Sequence, residues 1–327
     1  MSQPTPTLPF HTTTPGHADA VSAVPRAHRL HLNGLNVFCH EHPSRGAPML
    51  LLHSLSGNAH VFDGLVAAGL AARWRLLVPE MRGRGRTDAP PGGYGLDEGC
   101  ADLVALLDHF GLQKVTICGH SFGALLGLYF AAMHPERVEG LAMLDAGTSM
   151  HPAAPAMSAA ALVRLDKGFP SLQAYELFFR MAPFVRPWYA EMEGFVRADV
   201  AGFPTAGVVS RSRSFAASLA ALHVLGVSHR EWTDRAQRVR TRALVVRATE
   251  PFFLGMPMLR ESDAVETAEL LGARLEHAPG NHFTMLFGPG AARIVAALNA
   301  WAEPVGKSSD SPPDGAATPE VALALPS

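Results

Sequence analysis

Ser121 stands in Gly119-His120-Ser121-Phe122-Gly123, a serine with glycine two residues away on either side. The pentapeptide follows the β-prone run Lys114–Cys118 (KVTIC) and opens the apolar, helix-prone stretch Phe122–His134. Strand before and helix after is the context in which G-x-S-x-G makes a nucleophile elbow. The turn is so tight that the serine must take a strained backbone conformation, and glycines on both sides remove clashing side chains. Its hydroxyl is then raised at the carboxyl edge of a sheet. The Phe122 N–H lies at a helix N-terminus, where partial positive charge favours an oxyanion.

A serine hydroxyl is a poor nucleophile without a base. Of sixteen histidines, His282 is the best placed, because Pro279-Gly280-Asn281-His282-Phe283-Thr284 follows the last strand and precedes the last helix. That puts it on a loop at the same sheet edge as Ser121. A third group must orient the imidazole and stabilise its cation. Two carboxylates end strands at the right places: Asp145 in Leu144-Asp145-Ala146-Gly147 and Glu250 in Ala248-Thr249-Glu250-Pro251. Either one keeps the order Ser, acid, His along the chain. A second oxyanion donor is expected from Leu51-Leu52-His53-Ser54-Leu55-Ser56-Gly57, with the N–H of Leu55 in that role and His53 bracing the loop. His40-Glu41-His42 places two imidazoles on one strand face, but with no third ligand nearby no metal is expected.

The elements that must hold these residues are short and regular. His28–Leu32 and Leu35–His40 alternate in period two around Asn33-Gly34, a hairpin with a type I′ turn. Apolar runs at Met49–His53, Arg75–Val78, Lys114–Cys118, Val138–Leu144, Ala243–Arg247 and Arg274–His277 then alternate with helical stretches at Ala59–Ala72, Leu96–Phe110, Phe122–His134, Ala264–Leu271 and Ala291–Ala302. Such alternation of near-continuous apolar strands and helices predicts an α/β fold with a mostly parallel central sheet covered on both faces. Residues 147–240 break the rhythm with helical pieces, prolines and many aromatics, and no strand pair is expected there. We read them as a helical cap inserted between the sixth and seventh strands, dividing the core into 28–146 and 241–302. Residues 1–27 and 303–327 read as disordered tails, rich in Pro, Ser, Thr and Ala.

Composition narrows the classes. Of 327 residues, 48% are hydrophobic and 17% charged, enough apolar content for a large core. A net charge of −2 gives no electrostatic reason to bind nucleic acid or an anionic membrane. Three cysteines match neither a disulfide framework nor a zinc site. No secretory signal or membrane span is expected, so the expected location is cytoplasmic.

The stretches LLHSLSG, PEMRGRGRTD, GHSFG and PGNHFTMLFG resemble those of the α/β-hydrolase superfamily, over residues 28–302. Within Pro79–Asp88, Glu80 stands for the usual Asp and Thr87 for the usual Ser, and His53-Ser54 replaces His-Gly. LVVRATEPFF and PGNHFTML are similar to thioesterase domains of polyketide and fatty-acid synthesis, where the acid ends the sixth strand. That likeness implies Asp145, with Glu250 the alternative. The resemblance implies a serine hydrolase of carboxylic esters or thioesters acting through an acyl-enzyme, with no cofactor, on a small-molecule substrate. The aromatic content of the cap implies an apolar acyl or alkyl group. Serine at the elbow argues against the dehalogenases and most epoxide hydrolases of the fold, which use a carboxylate. An acyltransferase, a cofactor-free perhydrolase and a non-catalytic binding protein are the alternatives.

Overall fold

The computed structural model describes residues 24–203 and 207–303, so the expected tails fall largely outside the described residues. Eight strands build the main sheet: β1 (Arg26–Leu32), β2 (Leu35–His42), β3 (Pro48–Leu52), β4 (Arg75–Pro79), β5 (Val115–His120), β6 (Val138–Leu144), β9 (Arg242–Ala248) and β10 (Arg274–Ala278). Their order across the sheet is β1-β2-β4-β3-β5-β6-β9-β10. β1 pairs antiparallel with β2, and β2 with β4; every pairing from β4 onward is parallel. β1 starts within the stretch expected to be tail, because Arg26 and Ala27 continue the ladder against Glu41 and His40. Asn33 and Gly34 both have positive φ, 50° and 76°, as a type I′ turn requires.

Burial follows position in the sheet. β1 and β2 at the edge bury alternate residues, whereas all six residues of β5 in the middle are buried. Helices cover both faces: α1 (Asp63–Ala67), α2 (Leu70–Arg73), α3 (Leu96–His109), α4 (Phe122–Met133), α10 (Glu261–Leu271) and α11 (Gly288–Ala302). α3 buries Leu96, Cys100, Leu103 and Leu107, one helical stripe, with Asp97 and Glu98 favourably placed in its first turn. α4 is buried without a break from Phe122 to Ala131, so it is wrapped on all sides and has no polar face to lose. The three cysteines, Cys39, Cys100 and Cys118, are free and buried, and burial pushes each thiol up to about 12.

Between β6 and β9 the chain makes α5 (Ala154–Leu162), α6 (Leu172–Met181), α7 (Met192–Asp199), α8 (Ser214–Gly226) and α9 (His229–Ala236). It also makes an antiparallel pair, β7 (Val200–Phe203) with β8 (Gly207–Ser210), where none was expected. Each strand has only four residues and each carries a glycine, so no period-two pattern is long enough to read. Several aromatics of this insertion pack into the core: Phe169, Tyr175, Phe179 and Phe195 are buried in one cluster with side chains of the sheet.

Candidate active site

Parallel strands all point their carboxyl ends at one edge of the sheet, and Ser121, Asp145 and the loop of His282 come directly after β5, β6 and β10 there. Ser121 has φ 55° and ψ −119°, in the left-handed half of conformational space that a side chain disfavours. Its N–H donates to the Leu144 carbonyl at 3.0 Å, and its carbonyl accepts from Ala124 and Leu125, so strand and helix both anchor the strain. The glycines have steric reasons. A Cβ at Gly119 would lie 2.3 Å from the Gly123 carbonyl oxygen, and one at Gly123 would lie 2.1 Å from that of Leu52.

His282 Nδ1 donates to Asp145 Oδ2 across 2.7 Å, with both side chains buried. Asp145 Oδ1 accepts from the Ala248 N–H at 2.9 Å, and the Asp145 N–H donates to Val246, so β9 holds the carboxylate from its other side. Asp145 also takes a positive φ, 48°. Glu250 lies elsewhere: it is exposed, and its N–H donates to the Gly280 carbonyl at 3.0 Å. With Nδ1 committed as a donor, His282 keeps Nε2 as its acceptor. Ser121 and His282 line one cavity, with Leu55 beside them. Phe122 opens α4 immediately after Ser121.

Three residues around this group carry no role, or only a bracing one, in the sequence reading. His120 Nε2 donates to the His282 carbonyl at 2.7 Å, and the two rings lie 4.6 Å apart. Burial first, then the neighbouring His282, holds His120 well below the ordinary histidine range, so it stays neutral beside the site. His53 braces its loop as expected: Nδ1 donates to the Ser54 carbonyl at 2.8 Å and Nε2 accepts from the Met81 N–H at 3.1 Å. Complete burial pushes its pKa down to about 3. Arg84, in the stretch Gly83-Arg84-Gly85, is buried under the same loop, with Nε donating to the Leu55 carbonyl at 2.9 Å and Nη1 to the Arg82 carbonyl at 2.7 Å. Its guanidinium sits over the rings of Tyr94 and Phe122, and burial lowers its pKa to about 10.

The insertion reaches the same place. Ser158, Phe179, Phe184 and Phe195 line the cavity with Ser121 and His282. Arg164 lies in that wall too, its Nη1 donating to Ser56 Oγ at 3.2 Å and Nη2 to the Ser56 carbonyl at 2.7 Å. Behind it stand Asp199, 3.4 Å from Nε, and Tyr175, whose hydroxyl donates to Asp199. Burial raises the Asp199 carboxyl, and the Asp199 and Tyr175 partners in turn keep Arg164 charged. The signal for this arginine is tertiary: its partners come from three separate segments. Among the described residues no group of three His, Cys, Asp or Glu side chains is placed to hold a metal ion. Among them, too, no helix is long and apolar enough to cross a membrane.

Comparison with known proteins agrees with this architecture. A family model described as alpha/beta hydrolase fold matches residues 47–189. A protein of Caulobacter segnis, provisionally named a carbamate hydrolase, is 28% identical over 177 residues, which are 53% of this chain and 66% of that one. An epoxide hydrolase of Siraitia grosvenorii is 34% identical over 131 residues, 39% of this chain and 38% of that one. The chain spans less than two thirds of the length of these curated relatives. Among solved structures, E-2-(acetamidomethylene)succinate hydrolase superposes with a TM-score of 0.73 at 18% identity, over 85% of this chain and 99% of that one. The strand order, the family-model match over residues 47–189 and the superposition show that the chain adopts the α/β-hydrolase fold.

Proposed function

We propose that this protein is a serine hydrolase that cleaves a carboxylic ester or thioester through an acyl-enzyme. Ser121 is the nucleophile, His282 the general base and acid, and Asp145 the group that sets the imidazole tautomer and stabilises its cation. The 2.7 Å bond from His282 Nδ1 to Asp145, in a cavity wall shared with Ser121, is the observation that supports this reading most. His282 Nε2 takes the Ser121 proton as Oγ attacks the carbonyl carbon. The N–H groups of Phe122 and Leu55 receive the oxyanion, the former at the positive end of α4. His282 then protonates the leaving group, and water, activated by the same imidazole, releases the acid. Residues 147–240 act as a cap, since their side chains wall the cavity that Ser121 enters.

Intact mass after exposure to a fluorophosphonate tests the reading. A single adduct on the wild type, lost in Ser121→Ala, is the expected result. No adduct on well-folded wild type sinks it and leaves a binding protein on a hydrolase scaffold.

A further inference from the structure

Two cavities of very different size meet at Ser121. The smaller, about 70 Å³, is walled by His282, His120 and the rings of Phe179, Phe184, Phe195 and Phe252. The larger, about 580 Å³, runs between α5 and α8 and is mostly apolar, with Leu125, Met150, Ala221, Leu222, Leu225 and Trp232 among its walls. The larger therefore offers about eight times the room of the smaller. Ser121 and Leu55 border both; His282 borders only the smaller, and Phe122 only the larger. Leu222 and Leu225 are more than half exposed, 63% and 57%, so apolar surface continues outward from the larger cavity.

The chemistry assigns the two spaces. When Ser121 Oγ bonds to the carbonyl carbon, its proton passes to His282 Nε2. As the carbon–oxygen bond to the leaving alcohol breaks, that proton passes to the departing oxygen. The departing oxygen must therefore lie on the His282 side, where only the small cavity receives it. The acyl chain leaves the same carbon in the other direction, along the wall that begins at Phe122. We infer that the substrate is an ester of a long aliphatic acid with an alcohol much smaller than the acyl chain. The larger cavity is the acyl site and the smaller the alcohol site. This assignment rests on the serine-hydrolase reading above and narrows it to oxygen esters of small alcohols. Most of the aromatics of the insertion that line the site then face the alcohol, and the long chain meets mostly aliphatic walls, with Phe122 and Trp232 among them.

Two isomeric esters, methyl decanoate and nonyl acetate, test it on the full chain. The expected result is a kcat/KM for methyl decanoate at least about tenfold higher. Equal rates, or a preference for nonyl acetate, overturn the assignment and leave the serine-hydrolase reading standing. Hydrolysis of neither ester by a protein whose Ser121 takes the fluorophosphonate overturns the substrate class alone. Failure to take the fluorophosphonate brings down both. Ala221→Trp, which fills the larger cavity, should lower the ratio of kcat/KM for methyl decanoate to that for methyl acetate about tenfold. An unchanged ratio places the chain elsewhere. Should that variant not fold, the isomer pair on wild type still decides.

Discussion

Arg164 Nη2 donates to the Ser56 carbonyl oxygen across 2.7 Å, tying the insertion to the loop that carries Leu55. The arginine is buried with Asp199 behind it, so its removal leaves an uncompensated carboxylate. Arg164→Met should therefore cost about 3 kcal/mol or more in urea unfolding. It should also lower kcat by about tenfold, because the loop loses its grip. In the double variant Arg164→Met, Asp199→Asn most of the stability should return while kcat stays low. Recovery of both together would mean that Arg164 serves folding only.

Asp145→Asn should lower kcat by about 10³-fold or more, since an amide can hold the wrong histidine tautomer and cannot offset the imidazolium charge. Glu250→Gln should stay within about twofold of wild type, as an exposed side chain away from the imidazole. Steady-state kinetics on any turned-over ester compares the two. A large loss in Glu250→Gln with a small one in Asp145→Asn reverses the assignment.

Stability should fall on mild acidification, and His53 sets part of the slope. Its folded pKa of about 3 lies below the ordinary 6.5, so between those values the unfolded chain binds a proton that the native state refuses. The contribution is fully present above about pH 6.5 and is lost as pH falls toward 3. Protonation would put a hydrogen on Nε2, which already faces the Met81 N–H. From pH 7 to pH 5 this one group should cost about 2 kcal/mol. Urea melts at the two pH values should show a shallower loss in His53→Gln, and an equal loss would assign the slope to other groups.

Much of the fold was legible because its signals are local. Buried strands such as Met49–Leu52 read as apolar runs, and Asn33-Gly34 marks a turn that only positive φ satisfies. Ser121, Asp145 and His282 were legible as neighbours for a topological reason: parallel strands bring the loops at their carboxyl ends to one edge. The parts that escaped are set by distant partners. Arg164 looks like a solvated charge until Ser56, Tyr175 and Asp199 fold around it. Arg84 looks like one more basic residue in a loop, yet it is buried beneath the Leu55 carbonyl. By sequence the aromatics of the insertion read as lining for an apolar substrate, but composition cannot separate a ring that packs from a ring that lines. Tyr175 and Phe169 pack away from the cavity, Phe184 lines it, and Phe179 and Phe195 do both.

The three cysteines, buried and with thiols pushed up to about 12, hold almost no thiolate at neutral pH. Maleimides and iodoacetamide should therefore pass the native protein by. A cysteine introduced at Ser218, an exposed position on the wall of the larger cavity, would then be the one responsive sulfur in the folded chain. A fluorophore attached there turns the molecule into its own reporter, changing colour or brightness as an aliphatic chain slides in beside it.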